Sequence, residues 1–155
     1  HYTNASGRND IVGAQVAHDD NYVYFRVETA EALTSPSDRN WMQLFIDVDR
    51  DKSTGWYGYD FVINHTSPTA DGAVLESCVD NKWQWSTVGN IKYSVADNVL
   101  ELAVPKELIG VSATPDFEFK WNDNMQDDGN VMDFYVNGDS APGGRFNYVY
   151  SAVKN

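Results

Sequence analysis

The chain has 155 residues, the size of one ordinary domain, and folding should bury roughly 70% of the surface of the unfolded chain. Its net charge is −12, from 23 acidic and 11 basic residues, which argues against nucleic acid or an anionic membrane as a partner. The 17 Asp, 14 Asn and 11 Gly favour turns over helix interiors, which argues against a helical bundle. No run of apolar residues is long enough to span a membrane. We expect a single domain over residues 1–155.

Short segments of alternating apolar and polar residues recur along the chain, and this pattern predicts antiparallel strands joined by polar turns. The ten predicted strands lie at 11–17, 22–29, 41–48, 59–64, 73–79, 83–88, 91–95, 99–104, 116–121 and 146–153. Ten short strands indicate an all-β, antiparallel β-sandwich of jelly-roll type. A single helical turn is predicted at 106–109, with Pro105 in its first position and Gly110 at its end.

The alternation also assigns faces to two of the predicted strands. In segment 41–48, Leu44, Ile46 and Val48 share one face and form the natural core set. In segment 117–121 three aromatic residues share one face, so Trp121 is interpreted as a core residue in preference to a platform for a ligand.

The most specific local pattern is the acidic segment 47–60, which leaves a strand and enters a Gly-containing turn. Asp47, Asp49 and Asp51 are spaced two residues apart, so their carboxylates can converge on one hard cation when the backbone curls between them. An EF-hand loop is excluded, because its required Gly and Glu are missing. The pattern predicts a calcium site with Asp60 as a further ligand; the alternative is that these residues only cap a tight turn.

Aromatic and polar residues near the predicted turns suggest a site for sugars. Trp56 and Tyr57 lie in the Gly-rich turn, where we expect Trp56 to be exposed, and Trp83 and Trp85 point the same way from one strand. The two Trp residues either fill the core or form a flat platform for a ligand. A core position is favoured for Trp85, and both interpretations stay open for Trp83. Segment 122–130 is almost entirely polar, and is either solvated or binds a cation or hydroxyl groups. Aromatic rings stack on the C–H face of a pyranose while amides and carboxylates bind its hydroxyls.

Catalytic motifs give little support to an enzyme. The three histidines lack the spacing of a zinc site, and the chain has neither a nucleophile elbow nor a phosphate loop. Cys78 is the only cysteine and is interpreted as a small core residue. A carboxylate pair for glycoside hydrolysis stays open, because the separation that matters is spatial.

Several motifs along the chain carry a family pattern. They are AHDDNYVYF at 17–25, FIDVD at 45–49, TGWYGYD at 54–60, LELAVP at 100–105, FKWNDN at 119–124, GDSAP at 138–142 and GRFNY at 144–148. Over nearly its whole length the chain resembles the family 9 carbohydrate-binding modules and the related DOMON-like β-sandwiches of bacterial polysaccharide-degrading proteins. The resemblance implies a β-sandwich that binds glycans through aromatic stacking and polar loops, often with structural calcium.

The resemblance also implies a set of binding residues and a biological setting. Family 9 modules hold a sugar end between two Trp side chains, for which Trp56 with Trp83 or Trp121 are the candidates, with Tyr57 beside them. The implied polar partners are Asn122, Asn124, Gln126, Asp139 and Arg145. We expect a secreted or cell-surface bacterial domain, monomeric and part of a multidomain enzyme, that binds polysaccharide or oligosaccharide without catalysis. A glycoside hydrolase or lyase and a structural accessory domain are the open alternatives.

Overall fold

A computed structural model describes residues 8–136, 138–144 and 146–152 of the chain. Its strands are all antiparallel, which confirms the predicted all-β class. The strands of the described residues are β1 Ile11–His18, β2 Tyr22–Thr29, β3 Gln43–Asp47, β4 Phe61–Ile63, β5 Ala73–Cys78, β6 Trp85–Ala96, β7 Val99–Pro105, β8 Asp116–Asp123, β9 Asp139–Ala141 and β10 Tyr148–Ser151. Two single helical turns accompany them, α1 Lys106–Ile109 and α2 Asp133–Val136.

The strands form two sheets that share the long strand β6. Sheet A has the order β1-β2-β7-β6 and uses the second half of β6, residues 92–96. Sheet B continues from the first half of β6 in the order β5-β4-β3-β8, and β8 pairs with β10 at one end and β9 at the other. Because β6 passes from one sheet to the other, the two sheets fold over one another as a sandwich.

The main core lies between the two sheets. Phe25 of sheet A packs against Phe117 and Phe119 of sheet B, with ring centroids 5.7 and 5.3 Å apart. Leu44 and Ile46 are fully buried in the same cluster, which confirms the predicted inner face of β3. Each such side chain contributes about 1.5–3 kcal/mol of hydrophobic stabilisation.

A second hydrophobic cluster covers the outer face of sheet B. This outer aromatic cluster consists of Phe45, Trp56, Tyr59, Val62, Met125 and Phe134. Its residues come partly from the loop between β3 and β4 and the loop between β8 and β9, which therefore lie over the sheet. As a result β3 is buried on both faces. These two loops contain most of the residues that the sequence nominates for function.

Besides shorter bounds for several strands, the structure differs from the predicted elements at β6, at Pro105 and in two elements that were not predicted. Segment 91–95 and residues 85–88 of segment 83–88 belong to one strand, β6, which begins at Trp85. Val88 is an extra residue in this strand, because Leu75 pairs with Gly89 and Glu76 with Thr87. This β-bulge interrupts the alternation, so the sequence pattern resembles two strands. Pro105 ends β7 and precedes the first helical residue instead of occupying it, whereas Gly110 ends the turn as predicted. Strand β9 and helical turn α2 are not among the predicted elements, and the last residue of the predicted strand 146–153 lies outside the described residues.

Candidate metal centre and aromatic patch

The loop after β3 is curled by its own acidic side chains. The Oδ1 atom of Asp49 accepts a hydrogen bond from the backbone N of Asp51 at 3.0 Å. Asp51 Oδ1 in turn accepts hydrogen bonds from the backbone N and hydroxyl of Ser53, at 2.9 and 2.6 Å. These successive Asx turns reverse the chain within a few residues and return it towards β4.

The reversal brings Asp47, Asp49 and Asp60 together in what we call the acidic centre. One carboxylate oxygen from each residue lies within 4.8 Å of the other two. Asp47 ends β3 and is fully buried, while Asp60 immediately precedes β4 and donates its backbone N–H to Ile46 O. Two of the three carboxylates are therefore held by neighbouring strands of one sheet, and Asp49 approaches them from the loop.

The electrostatics of the acidic centre reflect three carboxylates in a confined space. Burial raises the pKa of Asp60 to about 6, and the charges of Asp49 and Asp47 act in the same direction. Burial likewise raises the pKa of Asp47, and the neighbouring Asp49 carboxyl adds to the effect. Burial also opposes ionisation of Asp49, but the Thr54 hydroxyl, which donates to Asp49 Oδ2 at 2.6 Å, brings its pKa below the usual value. Such mutual repulsion is relieved by a cation bound between the three groups.

The residues present fit a hard divalent cation. The donor set is carboxylate oxygen only, which suits calcium or magnesium better than zinc. No hydrogen-bond donor among the described residues reaches the buried Oδ1 atom of Asp47, so this oxygen is available as a ligand. Gly58 also matters, because a Cβ at this position would come within 3.1 Å of Asp47 Oδ2. Lys52 contacts the same oxygen of Asp47, with its Nζ 3.0 Å from Oδ2 on a largely exposed side chain.

Asp51, the fourth predicted ligand, is not grouped with the three carboxylates of the acidic centre. Its carboxylate is turned towards Ser53, and the hydrogen bonds from Ser53 lower its pKa. The turn-capping alternative therefore applies to Asp51, whereas the predicted convergence of the other three residues is found. The sequence analysis does not identify Lys52 and Thr54, which contact the acidic centre. Lys52 bonds to Asp47 and Thr54 to Asp49, and each lies five residues after its partner, which is the pattern that could have indicated them.

The structure corrects the expectation that Trp56 is exposed. Only 3% of Trp56 is accessible, and its ring packs against Phe45 and Trp83 with centroids 5.5 and 4.6 Å away. The turn folds back over sheet B, so Trp56 is buried in the outer aromatic cluster although it lies in a turn. Tyr57, the next residue, is 60% exposed.

Tyr57, Trp83 and Trp85 form the accessible aromatic patch beside the acidic centre. Trp83 and Trp85 are half-buried, with ring centroids 5.5 Å apart and nearly perpendicular ring planes. They do not share one strand as predicted, because β6 begins at Trp85 and Trp83 lies in the turn before it. Trp56 joins the patch from below, since its ring also contacts Tyr57 at 5.6 Å. The backbone N of Gly55 donates to Asn81 Oδ1 at 2.8 Å, which fastens the acidic loop to the turn that precedes Trp83.

Three of the remaining predicted contacts are buried inside the protein. Trp121 is fully buried in the main core, which confirms the core interpretation and excludes it as a stacking surface in this structure. Asn122 is fully buried because β8 continues to Asp123, and its side chain donates to the Ser140 hydroxyl at 2.7 Å. Asp139 is also buried, and its carboxylate accepts from the backbone N of Ile11. Arg145 lies outside the described residues.

Asn124 and Gln126 remain near the surface in the loop that crosses sheet B. Gln126 is exposed, and its side-chain amide donates to Asn124 Oδ1 at 2.6 Å. The same loop reaches the aromatic patch at Gly129, which packs against the ring of Trp83. Of the polar candidates among the described residues, Asn124 and Gln126 are the two that are not buried, and their loop contacts the aromatic patch at Gly129.

No protein-family model matches the chain, and neither the curated proteins nor the solved structures yield a match. The observed features define an all-β sandwich with an acidic centre and an adjoining aromatic patch. Among the described residues, no helix is long and apolar enough to traverse a lipid bilayer.

Proposed function

We propose that this domain is a non-catalytic carbohydrate-binding module with a structural calcium ion in the acidic centre. The observation that carries the proposal is that one loop, 48–60, supplies both Asp49 of the centre and Tyr57 of the aromatic patch. A cation that orders this loop would also fix the aromatic surface. Secretion from a bacterium and attachment to a polysaccharide-degrading enzyme belong to the same proposal and rest on the family resemblance.

The aromatic patch supports sugar binding by its chemistry. The exposed ring of Tyr57 and the half-buried ring of Trp83 offer flat apolar faces for the C–H groups of a pyranose. Amide groups of Asn124 and Gln126, on the neighbouring loop, can donate to and accept from hydroxyl groups. A shallow site of this kind is expected to bind with a Kd of roughly micromolar to millimolar, or about −8 to −4 kcal/mol.

The acidic centre favours a structural role over glycoside hydrolysis. One carboxylate oxygen from each of its three residues lies within 4.8 Å of the other two, and Asp47 has no exposed surface from which to reach a substrate. The carboxyl groups of glycosidases are separated by roughly 5 Å or more and flank an open cleft. Asp47, Asp49 and Asp60 would therefore hold the ion, which supplies positive charge that offsets their repulsion.

The proposal is tested by affinity electrophoresis and calorimetry against soluble plant and microbial polysaccharides, with calcium present. Tyr57→Ala and Trp83→Ala are expected to weaken binding about tenfold. Phe146→Ala is the matched control, because this ring is 75% exposed and belongs to neither the patch nor the acidic loop. Absence of binding to every glycan would overturn the proposal, and release of reducing ends by the isolated domain would favour the hydrolase alternative.

A further inference from the structure

The outer face of sheet A contains a groove that lies on the other side of the main core from the aromatic patch. Strand register fixes its floor as two rows, each with one residue from every strand of the sheet. The first row is Ala17, Tyr24, Ala103 and Lys92. The second row is Gln15, Arg26, Glu101 and Ser94. The groove has a volume of about 1260 Å³, and the turn at 69–72 lines one side.

Tyr24 is the aromatic residue that projects from the floor of this groove. Its two cross-strand neighbours, Ala17 and Ala103, are too short to cover the ring, and Tyr24 is 40% exposed. The ring is held in place, because its hydroxyl donates to Asp19 Oδ2 at 2.5 Å and it stacks on Tyr22 with centroids 5.8 Å apart. A fixed ring between two small residues provides a ready platform for an apolar sugar face.

The second row supplies hydrogen-bonding groups beside that platform. Arg26 Nε lies 3.5 Å from Glu101 Oε1, and both side chains are well exposed. The amide of Gln15 and the hydroxyl of Ser94 continue the row on either side. Donors and acceptors therefore alternate across four strands, a distance of about 14 Å, which exceeds a single sugar ring.

The charge of the groove indicates what kind of molecule it accepts. Its lining contains two basic residues, Arg26 and Lys92, and two acidic residues, Glu101 and Asp71. The groove is thus locally neutral on a chain whose net charge is −12. The lining itself offers no net charge to either a polyanion or a polycation, and the negative charge of the whole chain repels a polyanion further. A neutral, hydroxyl-rich chain is therefore the ligand that best matches the groove itself.

We propose that the groove over Tyr24 is a second glycan site, which binds an internal segment of a linear, uncharged polysaccharide. The proposal rests on the carbohydrate-binding function proposed above and adds a site on the opposite sheet. A molecule with both sites would hold one polysaccharide at two places, which raises the overall affinity for long chains relative to short ones.

The test uses the whole chain with calcium and measures binding of neutral hexasaccharides and disaccharides by titration and amide NMR. Two variants remove the groove: Tyr24→Ala deletes the platform, and Ala17→Arg covers the ring from an exposed position. Each is expected to lower hexasaccharide affinity about tenfold, with Tyr57→Ala affecting the other site independently. Val12→Ala, an exposed change outside the groove on β1, is the control. In the wild type, hexasaccharide should shift the amide signals of Ala17, Tyr24 and Ala103.

The outcomes separate this proposal from the proposed function. Hexasaccharide binding that is lost in Tyr57→Ala or Trp83→Ala, but not in Ala17→Arg, would overturn the second site and leave the first. Binding lost in Ala17→Arg alone would support the groove and count against the aromatic patch. Absence of any glycan binding by the wild type would overturn both. A dimer that forms with concentration and is abolished by Ala17→Arg would assign the face to a second copy of the chain and overturn the glycan proposal.

Discussion

Gly129 lies directly against the indole of Trp83, and a Cβ at position 129 would come within 2.8 Å of Trp83 Cγ. Gly129 also has a φ of +81°, a conformation that residues with a side chain adopt at a cost. The contact fixes the position of Trp83 on the aromatic patch from the loop between β8 and β9. The patch is thus determined by two loops that are far apart in sequence.

Gly129→Ala is expected to displace Trp83 and to destabilise the fold by on the order of 1–3 kcal/mol. Gly144→Ala is the matched control, since Gly144 has a similar φ of +67° but a Cβ there would have no described atom within 4 Å beyond its chain neighbours. Urea unfolding followed by tryptophan fluorescence measures both effects. Equal losses in the two variants would mean that backbone strain alone matters and that the contact with Trp83 does not.

Calcium is expected to raise the melting temperature of the protein, and chelation with EDTA should reverse the effect. A calcium concentration of 100 times the Kd stabilises by about 2.7 kcal/mol, which is roughly 5–10 °C for a chain of this size. Asp49→Asn and Asp60→Asn should abolish most of the shift, because each removes a charged ligand of the acidic centre. Asp51→Asn should retain it, since the Asp51 carboxylate accepts its hydrogen bonds from Ser53 and is not part of the acidic centre. An unchanged wild-type melting curve would leave all of these residues with a turn-forming role.

Trp56 and Tyr57 are adjacent but should respond very differently to truncation. Trp56→Ala opens a cavity in the outer aromatic cluster and is expected to cost about 3–5 kcal/mol. Tyr57→Ala removes a ring that is 60% exposed, so its cost should stay within about 0.5 kcal/mol. Equilibrium unfolding in urea gives both values. A small loss for Trp56→Ala would contradict its burial in the cluster.

Asp139 is expected to make the stability of the protein depend on pH between about 4 and 6. Burial raises its pKa to about 6, so the folded protein binds a proton more tightly than the unfolded chain does. Stability contributed by this protonation is therefore present at low pH and is lost as the pH rises through 6. Asp139→Asn should be more stable than the wild type at pH 7, by on the order of 1–3 kcal/mol, and nearly equal to it at pH 4. A difference that does not change with pH would contradict the role assigned to this carboxyl group.

Local patterns were sufficient for most of the fold. Alternation located β2 at its observed bounds, and it identified Leu44 and Ile46 as the inner face of β3. The predicted strands 91–95 and 99–104 leave a short polar turn between them, and in the structure this turn joins the antiparallel strands β6 and β7. These features depend on residues close in sequence, and so they can be inferred without knowing the rest of the chain.

Parts of the site required contacts that no local pattern contains. The sequence predicts an exposed Trp56, because residues in turns usually lie at the surface. In the structure Trp56 is buried in the outer aromatic cluster on sheet B, and no local pattern indicates that cluster. The sequence alone determined the class of fold, the acidic loop and the supply of aromatic residues, because these follow from composition and spacing. Only the tertiary structure decided that Asp60 joins Asp47 and Asp49 while Asp51 turns away, and that Tyr24 lies between two alanines. Strand register and loop packing bring distant residues together, and the free energy of that packing depends on the whole chain.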